Sequence, residues 1–570
     1  MTAMEPRVQK SLLAITAGIA YQPLTIWIGK HMMLVHNPHV REHLKGAYTG
    51  PEFEALFQYC RTNGVFKVDS DPITGLIQTS GGNENPSMAS RIWVTDTVRS
   101  EPLHTDVSWT KAMLTLARFY SMPSEIDAIE RSIADPTWYR QGGLTNGVAH
   151  IFYPETLERD TTWFNNKRLE SPALAVDAMC RSFLASWRRS KDRQFTAAML
   201  KRKGAVKSIV TTIVNLAAYL RAINTDTYGQ WDFGAPSSGN WEEFPFPGGL
   251  TWDLTATRMA FSSLRELLYG DCPNADDEVR AAIISSKHGD WLKDKDHLDR
   301  LIARVDRKLA GRLFSEEGPM EHPNRKLDAS LSFVSTCGIT WSSSASQDAV
   351  QMFVMMKALD ALVRPNGMIR YLPFQAHPDQ NRIADGYLAS NFWLDPKILN
   401  LLGLSSSAEC GGSDDCSTLE QLAQRSNAAL PDSEAEWCWV SVLAEGYSRL
   451  VVRLMTEDSR HHYFPREILI KHGMSRATEY INRAYARITG SCPWKSNGED
   501  CKPFAVPEAY EHVSVPDRPD LTTELPGTNT PLAWGSASLY SASTWYARAL
   551  ELIETKQHWS AHYEIKRETR

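Results

Sequence analysis

Apolar residues recur along this chain at three- and four-residue spacings far more often than at every second position. Ile209, Ile213, Leu216 and Leu220 fall on one face of a helix. Leu298, Leu301, Ile302, Val305 and Leu309 do the same, opposite the mixed charges of Asp299, Arg300, Arg304, Asp306 and Arg307. Further apolar stretches begin near Met113, Leu174, Ala256, Val350, Trp437, Ile468 and Leu532, and the one from Val350 to Val363 is apolar around most of its circumference, as in a helix covered on two sides. Turn-rich loops such as Pro236-Ser237-Ser238-Gly239 and Pro245-Phe246-Pro247-Gly248-Gly249 separate them. Strand-like alternation is sparse, no fixed period marks a solenoid, and no long Pro/Ser/Gly linker divides the chain. The pattern predicts an all-α architecture of helical hairpins over residues 41–570, with residues 1–40 as an N-terminal appendage. A two-domain chain is the alternative.

Composition narrows the class. With 570 residues, 42% hydrophobic and 22% charged, the chain is ordinary globular material, neither disordered nor collagen-like. A net charge of −6 gives no electrostatic reason to expect nucleic acid or an anionic membrane as partner. No run approaches the ~18 consecutive apolar residues of a spanning helix, so a membrane-embedded protein is not expected. Lys10 precedes a short apolar stretch from Ser11 to Ala20, a weak secretion leader that Glu5 and several polar residues argue against. The nine cysteines leave at least one unpaired, yet Cys410 with Cys416, and Cys492 with Cys501, sit in polar loops that suit short disulfides. Cys180, Cys337 and Cys438, in apolar segments, read as thiols. The chain has no usable Asn-x-Ser/Thr sequon, because Asn85-Pro86-Ser87 is blocked by proline. The compartment stays open, with a lean toward secretion.

Several mechanisms lack their parts. The sequence has no Gly-x-Gly-x-x-Gly, Walker A loop, His-Glu-x-x-His, Cys-x-x-Cys or Gly-x-Ser-x-Gly. His461-His462 has no third ligand nearby and reads as a surface pair, so no metal and no cofactor are expected. Tryptophan is abundant, 18 in all. In Asn240-Trp241-Glu242-Glu243 a flat apolar ring adjoins two carboxylates, which suits a sugar whose C–H face stacks while its hydroxyls reach the acids. Burial against Trp241 would also hold one carboxyl protonated as a general acid. Trp-Glu-Glu is more often the solvated start of a helix, its carboxylates favoured by the N-terminal dipole. Four other segments put polar groups just outside helical runs: Trp93-Val94-Thr95-Asp96, Arg168 to Leu174, Ile369-Arg370-Tyr371-Leu372-Pro373 and Pro507-Glu508-Ala509-Tyr510. Thr530-Pro531-Leu532-Ala533-Trp534 opens the last long helix, with Pro531 suited to its first turn.

The order of these segments, from residue 93 to residue 534, resembles glycoside hydrolase family 15, the glucoamylases and their relatives. Leu327-Asp328-Ala329-Ser330-Leu331 also looks like a helix-start motif of that group. The resemblance implies an (α/α)6 toroid. It implies Glu242 as general acid and Glu508 as general base, with Asp96 and Arg370 holding the terminal sugar. Arg168, Glu170 and Glu243 would line the next part of the pocket, and Trp93, Trp163 and Trp241 would form its stacking walls. Three departures stand out: Thr95 in place of the family's arginine, Glu170-Ser171 in place of Asp-Gly, and Gly239 where an acidic residue precedes Trp-Glu-Glu. They put a strict preference for starch-type glucose in doubt.

The implied reaction is inverting, exo-acting hydrolysis of an α-glycoside or oligosaccharide, releasing a terminal sugar, most simply glucose. It asks for carboxyl groups roughly 6.5–9.5 Å apart, with a water between base and sugar. Glu511 and Glu524 remain alternatives to Glu508, and Arg370 could instead pair with a surface acid. Trp534 and Trp545 have core spacing. Competing functions are a non-catalytic carbohydrate-binding or regulatory protein on the same toroid, and a lyase or transglycosidase, for which Arg168, Arg370 and Arg382 are the obvious cations.

Overall fold

The computed structural model describes residues 35–79, 91–160, 167–188, 203–239, 249–272, 275–310, 327–337, 345–370, 435–457, 466–491, 501–515, 518–527 and 529–568, positions 144 and 227 aside. It is mostly helical, as the apolar spacing predicts. Two compact units divide the chain: the first is Met1–Lys67, Ser80–Asn85 and Met352–Arg570, the second Val68–Thr79 and Pro86–Gln351.

In chain order, the first unit begins with α1 (Pro38–Glu42) and α2 (Gly50–Thr62). The second unit contains α3 (Val94–Arg99), α4 (Asp106–Phe119), α5 (Pro123–Ala134), α6 (Pro136–Gln141), α7 (Glu170–Arg188) and α8 (Lys203–Ile223). It continues with α9 (Thr251–Tyr269), α10 (Asp277–Ser285), α11 (Lys295–Ala310) and α12 (Leu331–Val334). Helix α13 (Ala345–Ala358) leads back to the first unit, which ends with α14 (Val440–Thr456), α15 (Arg466–Ala486) and α16 (Ala533–Glu568).

Helix α7 is the spine of the second unit. It packs on α3, α8 and α9, and this three-sided cover explains why its residues from Glu170 to Cys180 are all buried. In α8, Ile209, Ile213, Leu216 and Leu220 are all buried, as the spacing predicts. The stretch Val206–Ile223 of α8 is long and apolar enough to cross a membrane by length and composition, which the count of consecutive apolar residues did not reveal. Two-thirds of it is buried inside the protein, against α4, α5 and α7, which is the pattern of a core helix. Helix α11 turns Leu298, Leu301, Val305 and Leu309 inward, while Asp299 and Asp306 on it pair with Arg265 and Arg258 of α9. Within the 327–331 motif, Asp328 accepts the N–H and hydroxyl of Ser330, so this buried carboxylate ties down the turn that opens α12.

The first unit contains what the periodicity did not predict, a five-stranded antiparallel sheet in the order β3-β4-β5-β6-β7. Strands β3 (Val363–Arg364), β4 (Gly367–Met368) and β5 (Glu436–Trp437) have two residues each, too few to show alternation; β6 (Ala509–Val515) and β7 (Arg518–Pro526) form a hairpin. A separate ladder in the second unit pairs β1 (Ile92–Trp93) with β2 (Ile151–Phe152). Gly367 is required in β4: a Cβ there would lie 2.3 Å from the carbonyl oxygen of Trp437 on β5. Helices α14, α15 and α16 pack together, and α2 lies on α16, with Phe53 4.6 Å from the ring of Tyr546. Residues 35–40, assigned to the appendage by the sequence pattern, are part of this unit: Asn37 N–H donates to Ile488 O and Val35 O accepts from Gly490. Residues 1–34 lie outside the described residues, as do Cys410, Cys416 and Cys492. Cys180 and Cys438 are buried free thiols, and the Cys337 thiol donates to Phe333 O.

Candidate active site

In the second unit the candidate residues stand at the N-terminal ends of α3 and α7. Trp93 closes the β1–β2 ladder and caps α3, with Val94 N–H donating to His150 O; its ring is almost wholly buried. Asp96 lies in the first turn of α3, where a carboxylate suits the helix dipole, and keeps partial exposure. Thr95 is fully buried, and its hydroxyl has no partner among the described residues. The arginine that the resemblance expects here would meet a filled position. Arg168 pairs through Nε with Glu170 Oε1, both buried. Glu170 reaches no solvent, so its direct effect falls on Arg168.

The loop from Pro236 to Gly239 is fastened to this same segment. Ser238 donates both N–H and Oγ–H to Lys167 O, and Ser237 Oγ accepts from Leu169 N and Gly239 N. Tyr139 OH donates to Pro236 O, while Lys167 Nζ donates to Tyr139 O. Burial pulls the Lys167 ammonium down to about 8. Residues 240–248 lie outside the described residues, and with them Trp241, Glu242 and Glu243; Trp163 does as well. The glycines on either side are specified by geometry. Gly239 (φ +63°) would place a Cβ 2.4 Å from Leu250 Cδ1, and Gly249 (φ +73°) one 2.5 Å from Phe233 O. This accounts for glycine where the resemblance expects an acid.

In the first unit the sheet gathers the other candidates. Arg370 follows β4, is buried, and lies 5.8 Å from the ring centre of Trp437 on β5. Glu508 immediately precedes β6 and is half-buried. Its N–H donates to Asn529 O (3.1 Å), its carbonyl accepts from Cys438 N (2.9 Å), and its Oε2 accepts from Asn529 Nδ2 (2.6 Å). Arg487, buried under the sheet, donates from Nη2 to Pro507 O (3.4 Å) and Glu436 O (3.3 Å). Burial pushes the Cys438 thiol up to about 12; the charge of Arg487 opposes that shift and that of Glu508 adds to it. Glu524 accepts from Asn366 Nδ2, and Glu436 Oε2 from Asn366 N, so Glu524 is tied to the β3–β4 turn.

Of the six candidates within the described residues, Asp96 and Glu508 keep contact with solvent; Trp93, Arg168, Glu170 and Arg370 are buried. Trp534 is buried core, edge-on to Trp439. Among the described residues no group of three or more His, Cys, Asp or Glu side chains is arranged to hold a metal ion. Sequence reasoning missed Asn529 and Arg487. Asn529 directly precedes the Thr530-Pro531 motif, but only the β6–β7 hairpin brings it across 21 residues to Glu508. No protein-family model and no curated protein matches the chain.

Proposed function

We propose that the protein is an inverting, exo-acting α-glycoside hydrolase on an (α/α)6 toroid, taking a terminal sugar, with glucose the simplest, from an α-glucoside or oligosaccharide. The observation that carries the reading is Glu508: a half-buried carboxylate on a backbone hydrogen-bonded from both sides, oriented by a neutral amide. Such a group suits a general base, which must be ionised, aimed and reachable by water. The six motifs in family order and the braced root of the Trp241–Glu243 segment support the same reading.

In this mechanism Glu242, protonated, gives its proton to the glycosidic oxygen as the C1–O bond breaks. Water attacks C1 from the opposite face and gives a proton to Glu508, so the anomeric centre inverts. Asp96 and Arg370 hold the terminal sugar, and Arg168 and Glu243 the next part of the pocket. Glu170 braces Arg168. Trp93, Trp163 and Trp241 supply apolar walls, and no cofactor takes part. The closed position of Thr95 favours a sugar or linkage other than that of starch.

A panel of maltooligosaccharides, isomaltose, trehalose and aryl α-glucosides, followed by NMR at the anomeric proton, tests the reading. Release of the β-anomer from an α-linked substrate is expected. Retention of configuration would exclude the single-displacement mechanism, and absence of turnover across the panel would favour a carbohydrate-binding or regulatory role.

A further inference from the structure

Glu508 and Asn529 meet twice at the open end of the β6–β7 hairpin, once through backbone and once through side chains. Asn529 is itself buried, and its Oδ1 has no partner among the described residues. A buried amide oxygen without a donor costs free energy, and such groups persist where the opposite end of the amide is committed elsewhere. Here the commitment is visible. Rotating the amide by a half-turn would press Oδ1 against Glu508 Oε2, where Nδ2 now sits at 2.6 Å. The orientation suits an ionised Glu508, whose oxygens can only accept.

We propose that Asn529 is a positioning residue for Glu508: its amide N–H fixes the carboxylate rotamer and favours the bare, proton-accepting form. Arg487 completes the mount from below. The peptide entering Glu508 is held at both ends, its carbonyl (Pro507 O) by Arg487 and its N–H by Asn529 O. The carbonyl leaving Glu508 is held by Cys438 N. With the backbone fixed in this way, the side chain's remaining freedom is rotation about its own bonds, and the 2.6 Å contact from Asn529 restrains that.

This inference rests on Glu508 being the base, and the experiment separates the two claims. Asn529→Ala, the isosteric Asn529→Asp, Glu508→Gln and the double variant Glu508→Gln/Asn529→Ala are compared in the full-length protein on the best substrate of the panel. Thermal unfolding of each is recorded alongside. A hydrogen bond to a charged group corresponds to about 10–100-fold, so Asn529→Ala lowers kcat by that factor while KM changes less than about threefold. Asn529→Asp remains folded and loses more, because a second carboxylate disfavours ionisation of Glu508. In the Glu508→Gln background Asn529→Ala has no further effect on kcat. Wild-type kcat in both Asn529 variants overturns the inference even where Glu508→Gln is inactive. A full Asn529→Ala effect that persists in the Glu508→Gln background also overturns it. Wild-type turnover in Glu508→Gln removes the base assignment, and the positioning role with it.

Discussion

Two glutamates illustrate how differently one side chain is used in the two units. Glu170 is sealed inside the second unit, neutralised by a buried arginine two residues before it. Glu508 stands half open at a strand end in the first unit, steered by an uncharged amide. A buried carboxylate paired with a guanidinium through one oxygen has its charge offset by that partner, and it serves as a brace. A carboxylate that keeps solvent contact and accepts an amide N–H at one oxygen can still be reached by a water. On the proposed reading, burial and solvent contact separate the two glutamates more clearly than sequence motif does, since both lie in motifs of the same resemblance.

The contrast breaks first at Glu508. Glu508→Gln removes the proton acceptor, and kcat is expected to fall by about 10²–10⁴-fold with the unfolding midpoint unchanged, as steady-state kinetics and calorimetry will show. Equal activity in that variant would make Glu508 an ordinary strand-end acid. Arg168→Met should act on the fold as well as on the proposed pocket. It leaves Glu170 buried with no partner among the described residues, so a loss of about 3–5 kcal/mol in denaturant unfolding is expected, largely recovered in Arg168→Met/Glu170→Leu. An unchanged midpoint would mean that the pair does not brace α7.

Smaller effects sharpen the boundary between site and scaffold. Thr95→Arg forces a long cation into a filled position and should cost about 1–3 kcal/mol or more, with no gain on maltose. A stable variant with better maltose kinetics would show that the position opens. Gly249→Ala meets Phe233 O at a positive φ and should also cost about 1–3 kcal/mol, read by thermal melting. A pH-dependent signal concerns His36, whose Nδ1–H donates to Tyr510 OH, because the Tyr510 hydroxyl proton is already given to Arg487 O. Burial, with the charges of Arg41 and Arg487 adding to it, lowers this imidazole from 6.5 to about 3. Between those two values the unfolded chain binds a proton that the folded protein refuses, so stability falls as pH drops through that window. His36→Gln should flatten that fall in pH-dependent unfolding; an identical slope would place the acid sensitivity elsewhere.

Local apolar spacing specifies the helices. A face such as Ile209, Ile213, Leu216 and Leu220 is written in local spacing, and burying it requires only some apolar neighbour. The sequence also marked the segments in which Asp96, Arg168, Glu170, Arg370 and Glu508 lie, because loop chemistry at helix and strand ends is local as well. The tertiary structure alone decided the sheet, whose two-residue strands β3, β4 and β5 are too short to carry a period and exist because distant segments offer them hydrogen-bond partners. It also decided which acids are sealed and which are open. Burial and partner choice, as between Glu508 and Asn529 or Glu524 and Asn366, are properties of what the folded chain brings alongside a residue, and no spacing along the sequence encodes them.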